Sequence, residues 1–311
     1  MKARILILSL VLLAACQPVE MDYEYQKTLE ESTPQAGDGY TLTLEATKGV
    51  DTKALSLGYN EKTQKDMLNA YWVNGEKVGV YVNGTRCGQL LATAKEAPNQ
   101  NQATLSGTVY SALQVDDKIE LLYPDREDIT VGTKWDYTGQ TGAAPTPDGD
   151  LSTKYDYMTA KLTVNSIDQE NKKIIIIAPV SFESEQSIYR FDFKENDVLK
   201  AVKWFTLSSS QNKLVTSRSY DNGWVSNRGD LTVTLTGDGA QSPYVSLRNE
   251  NNTDDTYSFL VVGGDDALYS GTKEIPAGKL GNGKFLAPGV TLTKTDLHHS
   301  TGLIGEPDQV L

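Results

Sequence analysis

Residues 40–57 read YTLTLEATKGVDTKALSL. Tyr40, Leu42, Leu44 and Ala46 alternate with Thr41, Thr43 and Glu45, the period of a strand with one buried face. A Thr-Lys step follows at Lys48, a second at Lys53, and apolar residues then resume. Whether that first strand is a permanent part of the fold or a segment to be cut away decides what the chain is: an isolated surface domain or a building block.

Beyond it, period-two alternation dominates. Val78, Val80 and Val82 alternate in KVGVYVNG, which ends on an Asn-Gly turn signal. ATLSGTV, KIELLYP, AKLTVNSI and IYRFDFK follow, and later DLTVTLTGDG, YVSLRNENN, YSFLVVGG and GVTLTKTDL. KKIIIIAPVSF is a continuous β-branched run, which predicts a strand covered on both faces. Only TQKDMLNAYWV and YSALQVDDK offer short helices. Many short strands parted by Gly, Asn, Asp and Pro predict an all-β fold of β-sandwich type with antiparallel pairing, because no crossover helices are available. The turn-rich stretch GQTGAAPTPDGDLSTKYDYM precedes a new strand series. The expected organisation is therefore an N-terminal β-sandwich over residues 40–162 and a C-terminal one over 163–311.

The ends define a compartment. Lys2 and Arg4 precede an apolar run from Ile5 to Ala15. At about 1.5 Å per residue the run is too short for a bilayer core of about 30 Å, so residues 1–15 read as a secretory signal. The run ends Leu13-Ala14-Ala15-Cys16, which resembles a bacterial lipobox, with the Cys16 thiol as the site of lipidation, by palmitate among other acyl chains. Buried methylenes would then anchor the protein to a membrane at about 0.8 kcal/mol each. Residues 16–39 are acidic and poor in large apolar residues, as expected of a flexible tether. Glu20, Asp22 and Glu24 in it resemble the surface-export signals of Bacteroidetes lipoproteins.

The net charge of −12 leaves no basic stripe for nucleic acid or for an anionic leaflet. With Cys16 assigned to lipid, Cys87 has no partner for an internal disulfide and reads as a packed small hydrophobe in the turn-like NGTRCG.

Candidates for chemistry are sparse. The only histidines, His298 and His299, are adjacent, so in a strand they point to opposite faces and do not share a metal. The pairs Asp116-Asp117, Asp254-Asp255 and Asp265-Asp266 sit in turn contexts, where Asp bonds the local backbone; a glycosidase needs two carboxylates facing across a cleft. PDGDLS at 147–152 offers oxygens without the rest of a calcium-loop pattern. Trp72, Trp135, Trp204 and Trp224 read as core or interlayer filler, with Trp224 expected to be the most exposed. No enzyme activity, cofactor or metal is expected.

The whole pattern resembles the fimbrillins of Bacteroidales. The lipobox, acidic tether, alternating strand and Thr-Lys-Ala step are joined by WVNGEKVGVYVNG, by ATLSGTV followed by KIELLYPDRE, by KYDYMTAKLTV, and by FESEQSIYRFDFK. The likeness covers most of residues 1–200. It implies two tandem transthyretin-like β-sandwich domains on a cell-surface lipoprotein that forms part of a fimbrium and serves adhesion. It implies further that a protease cuts after the first strand, here at Lys53 or at Lys48, where the family has Arg. The displaced strand would carry Tyr40, Leu42, Leu44 and Ala46. A strand from a neighbouring subunit would fill the slot, head to tail, with Val290 and Leu292 as candidate donor residues. The partners implied are other fimbrial subunits, the outer membrane and a host or bacterial receptor. A surface glycan-binding lipoprotein without strand exchange is the alternative, and a row of exposed aromatics would mark it.

Overall fold

The structure, a computed structural model, describes residues 39–48, 56–60, 65–69, 71–97, 99–125, 133–146, 149–220, 223–250 and 253–295. The first half runs through β1 (Tyr40–Lys48), β2 (Ser56–Asn60), β3 (Lys65–Asn69), β4 (Lys77–Val82), β5 (Thr85–Ala94), β6 (Gln102–Val109), β7 (Lys118–Tyr123) and β8 (Thr133–Asp136). After the short helix α1 (Asp150–Lys154) come β9 (Met158–Thr163), β10 (Ser166–Asp168), β11 (Lys173–Ile175) and β12 (Val180–Ser184). The second half adds β13 (Ser187–Arg190), β14 (Asp192–Glu195), β15 (Val198–Leu199), β16 (Val202–Ser209), β17 (Val215–Tyr220) and β18 (Trp224–Arg228). It continues with β19 (Leu231–Thr234), β20 (Tyr244–Leu247), β21 (Asp255–Gly263), β22 (Leu268–Ile275), β23 (Phe285–Leu286) and β24 (Gly289–Lys294).

The fold is all-β, as alternation predicted. Its first core lies inside one sheet ordered β10-β11-β1-β12-β9-β7-β4-β5-β6, with a further pairing of β1 to β6. That pairing closes β1, β12, β9, β7, β4, β5 and β6 into a ring of hydrogen-bonded strands. Closure removes the sheet edges that an open sheet would expose. Leu42, Leu44, Ala46, Val78, Val80, Leu90, Leu105, Leu121 and Phe182 point inward and are buried together. The Asn83-Gly84 turn between β4 and β5 has positive φ at both residues, 50° and 80°, the geometry that Asn-Gly supplies to a tight hairpin.

The second core collects Phe191, Phe193, Phe205, Phe259, Val261, Val290 and Leu292 beneath a sheet ordered β15-β14-β24-β22-β21-β16-β19. Two three-stranded sheets, β20-β13-β23 and β18-β17-β8, flank it.

Several expectations need correction. The division between residues 162 and 163 does not coincide with a change of sheet: β10, β11 and β12 all join the sheet of the first core. In the other direction β8 pairs with β17, and Trp135, Tyr137 and Tyr157 pack in the second core. The run KKIIIIAPVSF is not one covered strand. It breaks into β11 and β12, and Ile177 between them is 78% exposed. Pro179 has no N–H to continue a ladder, which accounts for the break. TQKDMLNAYWV holds strand β3, hairpinned on β2, in place of a helix. A helix of that length is marginal on its own, whereas a neighbouring strand offers a full ladder. YSALQVDDK is a turn region, and the one α-helix among the described residues, α1, was not anticipated.

Candidate functional site

The ring depends on β1. Eight residues, Tyr40 to Thr47, pair antiparallel with β6. The other edge pairs parallel with β11 at Thr41 and Leu42, and with β12 at Ala46, Thr47 and Lys48. The strand named from sequence as displaceable is therefore a stave gripped on both edges. Its inward residues Leu42, Leu44 and Ala46 are buried as the alternation required, and Tyr40 is half-buried with its hydroxyl donating to Gln169 Oε1 at 2.5 Å. Burying each leucine contributes about 1.5–3 kcal/mol. β1 also precedes every other described strand.

Lys48 has the parity of Leu42, Leu44 and Ala46, and its side chain turns inward, only 1% exposed. Its ammonium lies 3.1 Å from Glu76 Oε2 and donates to the Tyr71 carbonyl at 3.1 Å. Aromatic rings wall it in: the Trp72 ring centroid is 4.4 Å away and that of Tyr123 is 4.1 Å. Both rings offer their electron-rich faces to the cation. Trp72 stands edge-on to Tyr123 and to Phe182, the residue opposite Lys48 in the β1–β12 register.

Glu76 is held for this contact by the turn before β4. Gly75 adopts φ 85°, and the Val73 amide donates to Glu76 Oε2 at 3.0 Å. The Tyr123 hydroxyl donates to Glu76 Oε1. Burial, with the Glu76 charge beside it, pushes the Tyr123 phenol well above its ordinary range, so it stays a donor.

Asp156 is buried as well, and its carboxyl feels the charges of Lys48 and Glu76. Burial is the largest influence on its carboxyl and pushes it up to about 7; Lys48 opposes this, Glu76 adds to it, and the Gln186 hydrogen bond opposes it. Gln186 Nε2 donates to Asp156 Oδ1 at 3.1 Å, while Oδ2 has no hydrogen-bond partner.

This pocket overturns one sequence expectation. Lys48 is not presented to a protease: its side chain is sealed, and its amide donates to Asn101 O at 2.9 Å. A protease needs an extended, accessible segment, which this residue does not offer. Lys53, Cys16, the signal at 1–15, His298 and His299 lie outside the described residues, as do residues 16–38 of the tether. Val290 and Leu292, the candidate donor residues, are buried in the second core, with β24 between β14 and β22. They do not form a free arm here.

Several of the remaining candidates have partners within the fold. Asp117 accepts the Gln114 amide, while Asp116 and Asp266 occupy turn positions with φ 73° and 61°. Asp255 departs from the turn reading: it is buried in β21 and bonded to Ser209, Ser210 and Asn249. Asp150 of the 147–152 stretch pairs with Lys154, and among the described residues no three His, Cys, Asp or Glu converge as metal ligands. Trp72 and Trp135 are buried. Trp224 is half-buried, its ring tilted against that of Trp135 with centroids 4.3 Å apart, and the Arg218 guanidinium lies 4.1 Å from it. Trp204 in β16 is half-buried too, and among the described residues no row of exposed tryptophans appears. Cys87 lies in β5 rather than in the turn, its thiol donating to Val80 O at 3.5 Å. Sequence reasoning missed Glu76, Tyr123 and Asp156. All three lie within quoted motifs, but nothing local marks them as neighbours of Lys48.

No family model matches the chain, and no curated protein is similar to it. Among solved structures it is similar to a candidate cell adhesion protein from Bacteroides uniformis, at 15% identity and a TM-score of 0.44, over 83% of this chain and 98% of the other. A second such protein, from Bacteroides ovatus, overlaps at 12% identity and a TM-score of 0.43, over 84% and 97% of the two chains. A fimbrial protein from Bacteroides ovatus overlaps at 12% identity and a TM-score of 0.32, over 82% of this chain and 50% of that one. Superposition at this level is loose and defines neither a family nor an activity.

Proposed function

We propose that this protein is a fimbrillin-like surface lipoprotein, anchored through Cys16, that assembles with other subunits by strand replacement and serves adhesion rather than catalysis. The observation that carries this reading is the position of β1: a stave at the N-terminal side of a closed ring, bonded on both edges and filling the core with its inward face. While β1 is seated, the ring has no open edge there and the subunit stays single. Cleavage in the segment between β1 and β2, where Lys53 lies, frees β1 to depart. The slot left behind has unpaired backbone groups along β6 and β12 and an uncovered apolar floor. A strand from another subunit repairs both, its backbone supplying affinity and its alternate side chains supplying register. A head-to-tail contact of this kind propagates as a filament.

A specific protease site placed between residues 49 and 55 of the full chain tests the reading. After cutting, the chain is expected to lose the β1 fragment and form ladders on a non-boiled gel, while the uncut chain stays monomeric. A cut chain that keeps its fragment and remains monomeric at high concentration overturns it.

A further inference from the structure

Replacing β1 changes more than an apolar floor. Lys48 leaves with it, and Glu76, the Tyr71 carbonyl and two aromatic faces lose their cation together. Asp156 Oδ2, already without a partner, gains none. A half-buried carboxylate beside two rings, left with only the Val73 amide and the Tyr123 hydroxyl as donors, is costly to leave without its ion. A wholly apolar replacement strand does not meet that demand.

This chain contains a strand that does. Val290-Thr291-Leu292-Thr293-Lys294 in β24 repeats the order of Leu44-Glu45-Ala46-Thr47-Lys48: apolar, polar, apolar, threonine, lysine. Laid in the slot with Lys294 at the position of Lys48, it puts Val290 where Leu44 sits and Leu292 where Ala46 sits. In its own sheet Val290 and Leu292 are buried, whereas Lys294 at the strand's end is exposed. Each neighbour grips only half of β24: β14 pairs with Gly289 to Thr291, and β22 with Leu292 to Lys294. β1, by contrast, is held along eight residues by β6 alone.

We propose that the Trp72–Glu76–Tyr123 pocket is a recognition site for the lysine ammonium of the strand that replaces β1, and that its occupant is the Val290–Lys294 segment of a second copy, with Lys294 against Glu76. The proposal rests on the strand-replacement reading and adds to it the register. A slip by one residue turns the lysine outward and puts a threonine among the aromatic rings, so the pocket admits one alignment.

The test uses the full chain cut between residues 49 and 55 and stripped of β1 in mild denaturant. Peptides covering 38–50, 287–296 and 296–311 are titrated against it, the first two also as Lys48→Met and Lys294→Met. The 287–296 peptide is expected to bind, and its Lys294→Met form to bind at least about tenfold more weakly, since it leaves the half-buried Glu76 carboxylate without its cation. Equal binding of the two forms overturns the pocket as a lysine site. Binding of 38–50 or 296–311 without 287–296 overturns the assigned occupant. In these cases a slot that accepts any strand keeps the replacement reading intact. Failure of the 38–50 peptide to rebind sinks that reading, and the present proposal with it.

Discussion

Lys48 Nζ and Glu76 Oε2 stand 3.1 Å apart inside the first core, joining the end of β1 to the turn that opens β4. One partner belongs to the strand proposed to leave and the other to the body that remains. Their pairing is therefore part of what keeps β1 seated.

Breaking the pair from one side is expected to cost more than removing it whole. Lys48→Met leaves the half-buried Glu76 carboxylate with only the Val73 amide and the Tyr123 hydroxyl and should lower stability by about 1–3 kcal/mol. Adding Glu76→Gln, which keeps an oxygen for the Tyr123 hydroxyl, should recover much of that loss. Urea unfolding of the parent, both single variants and the double variant measures the coupling directly. Losses that merely add would show that the two residues act independently.

The pH dependence has a defined sign. The ordinary value for an aspartate is 3.8, and in the fold Asp156 is pushed up to about 7. Between those values the unfolded chain has released a proton that the folded chain still holds. This contribution is therefore largest in acid and is lost as the pH rises toward about 7, at up to about 1.4 kcal/mol per pH unit. Asp156→Asn, which retains an oxygen for Gln186, should flatten that slope and stabilise the protein in mildly alkaline buffer. Thermal melts across the range decide the matter; parallel curves for parent and variant would refute it.

Gly107 in β6 faces Leu42 in β1 across the ladder. A Cβ at Gly107 would come 2.0 Å from the Gln89 carbonyl oxygen in β5. Gly107→Ala forces backbone to move, with an expected loss of about 1–3 kcal/mol. Hydrogen exchange should quicken along β6 and β1 before the second core responds. Uniform quickening would place the strain elsewhere.

Cys87 should be silent in the native protein. Burial pushes its thiol up to about 12, so almost no thiolate is present at neutral pH. A thiol reagent is expected to modify it only after unfolding, and rapid labelling of the native chain would contradict its burial.

Legibility in the sequence followed range. Leu42, Leu44 and Ala46 were readable as an inward face because alternation is a property of one strand. Cys87 was readable as packed rather than reactive, although its strand was mistaken for a turn. The run around Ile174 misled because an apolar stretch does not reveal that Pro179 interrupts its ladder. Lys48 is the instructive case. Its parity with Ala46 already placed it on the inner face, but a charged side chain beside a turn reads as solvated unless a buried counter-ion is known. Glu76, Tyr123 and Asp156 become its surroundings only when strands distant in sequence are brought together.

By itself, then, the amino-acid order determined the strand-rich class, the buried face of β1 and the hairpin at Asn83-Gly84, since each depends on backbone geometry within a few residues. Tertiary structure alone decided that β1 closes a ring, that β24 is seated between β14 and β22 in the single subunit, and that an ammonium sits among aromatic rings at the strand's end. Ring closure and ion pairing depend on which distant edges and charges meet. That choice comes from the packing free energy of the whole chain, which no local period records.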